Sequence, residues 1–146
     1  VFGAADIASY RLPSLAGLIL SLMLVYKFSQ SLWPSSIAPV QAMVSVLLLA
    51  ASPLLIAEAH LAKTDSALLS ALLAQQYMLW RIYRDRAEAD PAVPWAGFWV
   101  CLSAGILLKG PIAPLLALTT CLGLVVMDRR AAWLKRLHIL KGLLVT

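Results

Sequence analysis

Residues 95–127 read WAGFWVCLSAGILLKGPIAPLLALTTCLGLVVM, two apolar runs joined by a Lys-Gly-Pro tripeptide at 109–111. At about 1.5 Å per residue, Trp95–Leu108 and Ile112–Met127 reach only roughly 21–24 Å, whereas a bilayer core is about 30 Å thick. We therefore expect the turn between them to lie at or below the lipid headgroups. Lys109 would then lie where phosphates are, and a charge at that depth is a functional-site hypothesis because it is costly unless paired or hydrated.

The composition indicates an integral membrane protein. Of the 146 residues 62% are hydrophobic and 13% charged, too few charges to cover a soluble globule, and the mean hydropathy is +0.85. The net charge of +5 does not indicate nucleic acid as a partner, since the basic residues cluster at helix ends rather than forming a stripe with aromatic residues. Cys101 and Cys121 lie inside apolar runs without metal-ligand spacing, so they indicate no redox compartment.

The apolar runs predict about five membrane spans and the start of a sixth. They are Leu12–Leu32, Ile37–Ala57, Ser66–Tyr83, Trp95–Leu108, Ile112–Met127 and the incomplete Leu137–Val145. Pro13 is expected in the first turn of the first helix, and Pro53 predicts a kink or an early end in the second. The predicted fold class is all-α, a polytopic transmembrane helix bundle.

We expect residues 1–146 to be a partial transmembrane domain from the interior of a larger protein. The chain begins at Val1 with no initiator methionine, no basic leader and no cleavage-site pattern. Its last apolar stretch stops in mid-run. Spans after Thr146 would then be needed to cover one side of the bundle.

The distribution of basic residues predicts the orientation of the spans. If the loops after the first, third and fifth runs share a side, that side has nine of the twelve lysines and arginines, so it is predicted to be cytoplasmic. Arg11, Lys63 and Lys109 remain on the extracytoplasmic side. Three cations converging from three helix ends could bind a phosphate or pyrophosphate, such as a polyprenyl-phosphate headgroup, with backbone N–H groups around Gly110 as further donors.

Two carboxylates, Glu58 and Asp65, lie on the same predicted side. They could orient the cations, contact a sugar hydroxyl or hold a divalent cation, although no metal or other cofactor is assigned. Simpler roles stay open, since Asp65 can cap the helix that follows it and Glu58 and Lys63 can belong to a solvated loop. Arg11 can be a headgroup anchor, and Lys109 a lysine that snorkels to the interface.

Three motifs occur in an order and at separations that are typical of one family. They are VFG to YRLPS over 1–14, ASP to AKTDSALL over 51–69, and GILLKGP at 105–111. Each motif is short, and their ordered combination carries the resemblance over nearly the whole chain. The chain resembles the GT-C membrane glycosyltransferases, specifically the bacterial branch related to aminoarabinose transferases and protein O-mannosyltransferases.

The resemblance implies a bacterial inner-membrane enzyme with its site on the periplasmic side. Such an enzyme moves a sugar from a polyprenyl-phosphate carrier to lipid A, a protein or another envelope glycan. It also implies a general base in a loop ahead of Val1, so no catalytic residue is assigned here and the chain by itself is expected to be inactive.

Individual residues match the family pattern to different degrees. Arg11, Asp65 and Lys109 match by position, whereas Lys63 lies where relatives vary and Glu58 matches no family element. In sugar transfer from a phospholipid carrier, negative charge accumulates on the departing phosphate, and fixed cations stabilise it. Arg11 and Lys109 are therefore expected to stabilise that charge, with Lys63 as a further phosphate ligand and Asp65 and Glu58 in support.

Two alternatives belong to other classes of protein. A transporter or flippase domain could use the same outward cations to guide an anionic lipid, and helices broken at Pro53 and Pro111 are compatible with it. A structural membrane module would tolerate replacement of Arg11 and Lys109 by glutamine. In all three interpretations membrane lipids are partners and nucleic acid is not.

Overall fold

A computed structural model describes residues 4–33, 36–53, 65–84, 92–129, 132–138 and 142, with the backbone alone described for 4–13, 92–94, 132 and 136. Five α-helices lie in these ranges: α1 (Ala4–Leu32), α2 (Ala38–Ala50), α3 (Asp65–Arg84), α4 (Ala92–Lys109) and α5 (Ile112–Asp128). A 3-10 helix, Ala132–Leu137, follows α5. Because the described residues contain no strand, the predicted all-α fold class is confirmed.

The helix bounds follow the apolar runs closely on the C-terminal side of the chain. The predicted run Ser66–Tyr83 lies one residue inside each end of α3, and Ile112–Met127 stops one residue before the end of α5. Helix α4 starts before Trp95, and includes Lys109 as its last residue. Of the predicted sixth run, most residues lie outside the described part of the chain.

The prediction that Pro13 lies in the first turn of its helix is wrong. Helix α1 begins at Ala4, so Pro13 is an interior residue. It has no N–H to donate to the carbonyl of Ser9, and membrane helices tolerate this loss where neighbouring helices and side chains compensate. Pro53 behaves as predicted, since α2 ends at Ala50, before the proline.

In the part of the chain that the structure describes, one helix is long and apolar enough to cross a membrane, the segment Ser14–Leu32 of α1 with a mean hydropathy of 1.5. Three further helices are apolar and shorter, namely Ala38–Ala50, Trp95–Lys109 and Ile112–Asp128. Large apolar side chains are exposed on several helices, including Leu48, Leu107 and Met127, the last two more than 80% exposed. A surface of this kind marks contact with lipid or with other apolar partners. The expectation of about five spans stays a prediction.

The contacts divide into two compact units, Val1–Leu73 and Ala74–Thr146, and α3 passes from one to the other. In the first unit, α1 packs on α2 through small residues. Ala38 and Ala42 of α2 are buried, and the hydroxyl oxygens of Ser29 and Ser45 lie 3.2 Å apart. Small residues let membrane helices approach closely, so dispersion and hydrogen bonds can hold them together.

The second unit has a core of apolar and aromatic side chains. Its buried members are Leu79, Ile82, Phe98, Trp99, Leu102, Ala117, Trp133 and Leu137. The rings of Tyr83 and Trp133 meet edge to face with centroids 5.5 Å apart, a favourable arrangement for aromatic pairs. The 3-10 helix therefore packs into this core through Trp133 and Leu137.

Gly17 is predicted to be intolerant of a side chain. A Cβ atom there would lie 2.8 Å from the backbone nitrogen of Ala67 and 2.9 Å from the carbonyl carbon of Ser66, and backbone atoms cannot move aside. We expect Gly17→Ala to separate α1 from α3 and to lower the free energy of unfolding by about 1–3 kcal/mol, the usual range for overpacking. Thermal unfolding in detergent micelles measures the change.

Gly123→Ala is the matched control for that experiment. Gly123 also lies within a helix, and no heavy atom lies within 4 Å of a Cβ built there. Alanine should be neutral or slightly stabilising at this position because it restricts the unfolded chain. Equal stability of both variants would contradict the close approach at Gly17.

Trp99→Phe is predicted to destabilise the second unit. The Trp99 indole Nε1 donates to the carbonyl oxygen of Leu137 at 2.7 Å, in a buried contact. Phenylalanine leaves that carbonyl without its donor, which costs about 1–3 kcal/mol. Trp80→Phe is the control, because the Trp80 Nε1 is buried without an acceptor among the described residues. A loss of melting temperature that is no larger for Trp99→Phe would contradict this role.

Candidate functional site

Lys109 lies at a sharp turn between two apolar helices, as the sequence predicts. It is the last residue of α4, its side chain is exposed, and Gly110 follows with a φ of +70°. Only glycine adopts this left-handed conformation without strain. The Gly110 N–H donates to the carbonyl of Ile106 at 2.8 Å, which closes the end of α4. The cation is thus fixed on a short, well-defined turn.

The expectation that backbone N–H groups around Gly110 provide anion ligands stays a prediction, and the structure limits which of these groups could take part. The N–H of Gly110 itself is used by Ile106. Pro111 stands at the N-cap of α5 and Pro114 in its first turn, and neither has an N–H. Of the donors that a helix N-terminus normally offers, the first turn of α5 retains those of 112 and 113. This turn therefore offers an anion the charge of Lys109 and the N–H groups of residues 112 and 113.

Helices α4 and α5 approach each other very closely beside the turn. A Cβ atom at Gly105 would lie 2.5 Å from the Cβ of Ala113, and Ala113 is completely buried. The close approach fixes the end of α4 relative to the start of α5. Lys109 is therefore presented by a rigid helical hairpin.

The Ala113 carbonyl also binds a side chain of α3. The Nε2 atom of Gln75 donates to it at 3.1 Å, and Gln75 is completely buried. Sequence reasoning missed this residue. The available signal was a pair of glutamines, 75 and 76, in the middle of an apolar run, where a polar side chain normally has a partner.

Asp65 is the first residue of α3 and is half-buried. This position confirms that its charge lies at the positive end of that helix, where a carboxylate is stabilised. Next to it, the Ser66 hydroxyl donates to the Ser14 carbonyl oxygen at 3.0 Å, and the two hydroxyl oxygens are 3.2 Å apart.

The contact between Ser14 and Ser66 connects the part of α1 that carries Arg11 with the part of α3 that begins at Asp65. Arg11 is on α1, three residues before Ser14, and Asp65 immediately precedes Ser66. The backbones of the two matching positions thus lie near one contact of the first unit. The described part of the chain includes the backbone of Arg11 and not its side chain.

Two predicted site residues, Lys63 and Glu58, lie outside the described residues. The convergence of Arg11, Lys63 and Lys109 on one phosphate therefore stays a prediction. Within the described ranges, no group of three or more His, Cys, Asp or Glu side chains is placed to hold a metal ion. A fixed cation on a rigid apolar hairpin can bind an anionic group and stabilise charge that develops on it.

Comparison with known proteins identifies the family. The comparisons with curated proteins and with solved structures find no significant match. The family model described as dolichyl-phosphate-mannose-protein mannosyltransferase matches residues 1–146, the full length of the chain. The chain therefore belongs to this family of membrane glycosyltransferases, which transfer a sugar from a polyprenyl-phosphate donor.

Proposed function

We propose that Lys109 binds the phosphate of a polyprenyl-phosphate sugar donor and stabilises the charge on that phosphate as the sugar departs. The observation that supports this most directly is the exposed lysine on the Gly110 turn, within a family that uses such donors. As the anomeric carbon becomes cation-like, charge accumulates on the leaving phosphate, and a preorganised cation lowers the barrier. The rigid α4–α5 hairpin supplies that preorganisation.

Arg11 is proposed as the second phosphate ligand, with Lys63 as a third and Asp65 and Glu58 in support. The helix α1 position of Arg11, close in sequence to the Ser14–Ser66 contact, supports its pairing with Asp65. A carboxylate beside a guanidinium can hold it in a fixed orientation by charge-assisted hydrogen bonds. The general base that activates the acceptor is not among these residues.

The exposed apolar surfaces of the helices also fit the prenyl tail of the proposed donor. Exposed side chains such as Leu107, two residues before Lys109, form an apolar surface near the cation. A lipid-linked phosphate has its charge and its hydrocarbon directly adjoining, so it fits a lysine that is bordered by leucines. We propose a site that faces the periplasm of a bacterial inner membrane and an acceptor that is a protein, lipid A or another envelope glycan.

The family match favours a transferase over the transporter and the structural module. The transferase also has a distinct kinetic signature. A ligand of the departing phosphate acts mostly in the transition state, so its loss should lower kcat as well as donor affinity. A transporter would bind the lipid without cleaving the sugar–phosphate bond.

Lys109→Ala is predicted to lower sugar transfer by about two to three orders of magnitude, the usual effect of removing one contact that stabilises developing charge. The assay uses the protein from its complete gene, in membranes, with a radiolabelled polyprenyl-phosphate sugar and matched expression. Lys109→Arg should retain more activity because the charge is kept. Lys135→Ala, at an exposed lysine of the 3-10 helix, is the control. Unchanged transfer by Lys109→Ala would make Lys109 an interfacial lysine only.

Asp65→Asn separates a charge role from a capping role. Asparagine caps helices about as well as aspartate, so we expect the protein to remain folded, with a stability loss below about 1 kcal/mol. If the carboxylate orients a phosphate-binding cation, KM for the donor should rise by roughly tenfold to 100-fold, the range of one charge-assisted hydrogen bond. Steady-state transfer at varied donor concentration measures it. Wild-type kinetics would leave Asp65 with helix capping alone.

A further inference from the structure

Gln75 is a completely buried amide that uses one of its two N–H donors, while its oxygen has no donor among the described residues. Its Nε2 atom donates to the Ala113 carbonyl at 3.1 Å, and its Oε1 atom is buried without a donor among the described residues. Burying an unpaired amide oxygen is unfavourable, so an apolar side chain of the same size would suit folding equally well or better. The residue is therefore better explained by what its one hydrogen bond holds in place.

That hydrogen bond joins α3 to the α4–α5 hairpin beside the Lys109 turn. Ala113 is the second residue of α5 and comes four residues after Lys109. The Gly105–Ala113 approach lies within the hairpin, so it fixes α4 to α5 without fixing either to α3. At the other end of α4, Gly97 meets the flexible Met78 side chain of α3. Near the turn, Gln75 supplies a directional contact between α3 and the start of α5.

Apolar contacts alone do not set the position of a hairpin along a neighbouring helix sharply. Leucine and alanine surfaces in lipid can slide past one another at little cost, because lipid tails are as apolar as the helices. A hydrogen bond has a narrow range of distances and angles and so sets one position. Without the Gln75 amide, the hairpin and the cation at its tip could shift along α3.

We infer that Gln75 is a positioning residue for sugar transfer, which fixes the depth of the Lys109 turn along α3; this rests on the proposed role of Lys109. Gln75 does not contact the donor in this inference. It acts through the Ala113 carbonyl on the start of α5, and through the hairpin on the lysine. A displacement of about 1 Å at a catalytic group can cost up to roughly 100-fold in rate.

A double-mutant cycle tests the inference in the protein from its complete gene, in membranes. Gln75→Leu should lower kcat about tenfold with KM for the acceptor unchanged. In the Lys109→Ala background the same substitution should change transfer less than twofold, since the group that it positions is gone. If Gln75 only stabilised the fold, the two losses would multiply.

Gln76→Leu is the matched control, the same chemical change one residue further along α3. The Gln76 Nε2 atom is buried without an acceptor among the described residues, so its removal should leave transfer near wild type. Amide hydrogen exchange of the peptide covering residues 110–116 gives a readout that is independent of activity. It should become faster in Gln75→Leu and stay unchanged in Gln76→Leu.

The outcomes separate the inference from the proposed function. Unchanged exchange in Gln75→Leu, or equal loss of transfer in both backgrounds, would overturn the positioning role while Lys109→Ala still reports on the phosphate site. Full transfer by Lys109→Ala alone would overturn the proposed function instead. Faster exchange together with loss of transfer only where Lys109 is present would establish the role of Gln75.

Discussion

A helix in lipid has to satisfy its polar groups within the protein, and this constraint shapes the whole chain. Several serine and threonine hydroxyl groups donate hydrogen bonds to carbonyl oxygens four residues earlier in the same helix. Such bonds of 2.8 Å run from Ser21 to Gly17, Ser45 to Gln41, Ser103 to Trp99 and Thr120 to Leu116. Side chains that bond within their own helix leave the helix surface effectively apolar. Some bonds cross between helices, such as those at Ser14, Ser29, Gln75 and Trp99. These bonds matter most for the fold, because they distinguish one apolar packing from another.

Glycine and alanine bring helices close together within each unit. Gly17 lies against Ala67 of α3, beside the Ser14–Ser66 bond, and Gly105 lies against Ala113 within the α4–α5 hairpin. The Gly105–Ala113 contact also makes the hairpin that carries Lys109 rigid. Lys109 is a flexible side chain, yet its backbone stands on a hairpin whose two helices meet closely at Gly105 and Ala113.

The sequence predicts local features of this fold well and long-range ones poorly. The turn at Gly110 follows from a Lys-Gly-Pro tripeptide between apolar runs, and α3 and α5 follow from hydropathy to within a residue. The start of α1 could not be placed, since Pro13 is a common first-turn residue and nothing local says that the helix continues before it. The partners of Gln75 and Ser14 depend on which helices adjoin, and periodicity in an apolar chain does not specify that. Trp133 and Leu137 lie in a basic stretch after α5, so the sequence did not predict their burial. They are buried because the 3-10 helix packs back against the core of the second unit.

The bond from Trp99 to Leu137 joins residues 38 positions apart, and α5 lies between them. The Leu137 carbonyl reaches the indole because the 3-10 helix returns to α4, and Gly142 lies so close to the Trp99 ring that a side chain there would overlap it. The segment after α5 is therefore tied back to the first helix of the α4–α5 pair, and any side chain at position 142 would push the two apart.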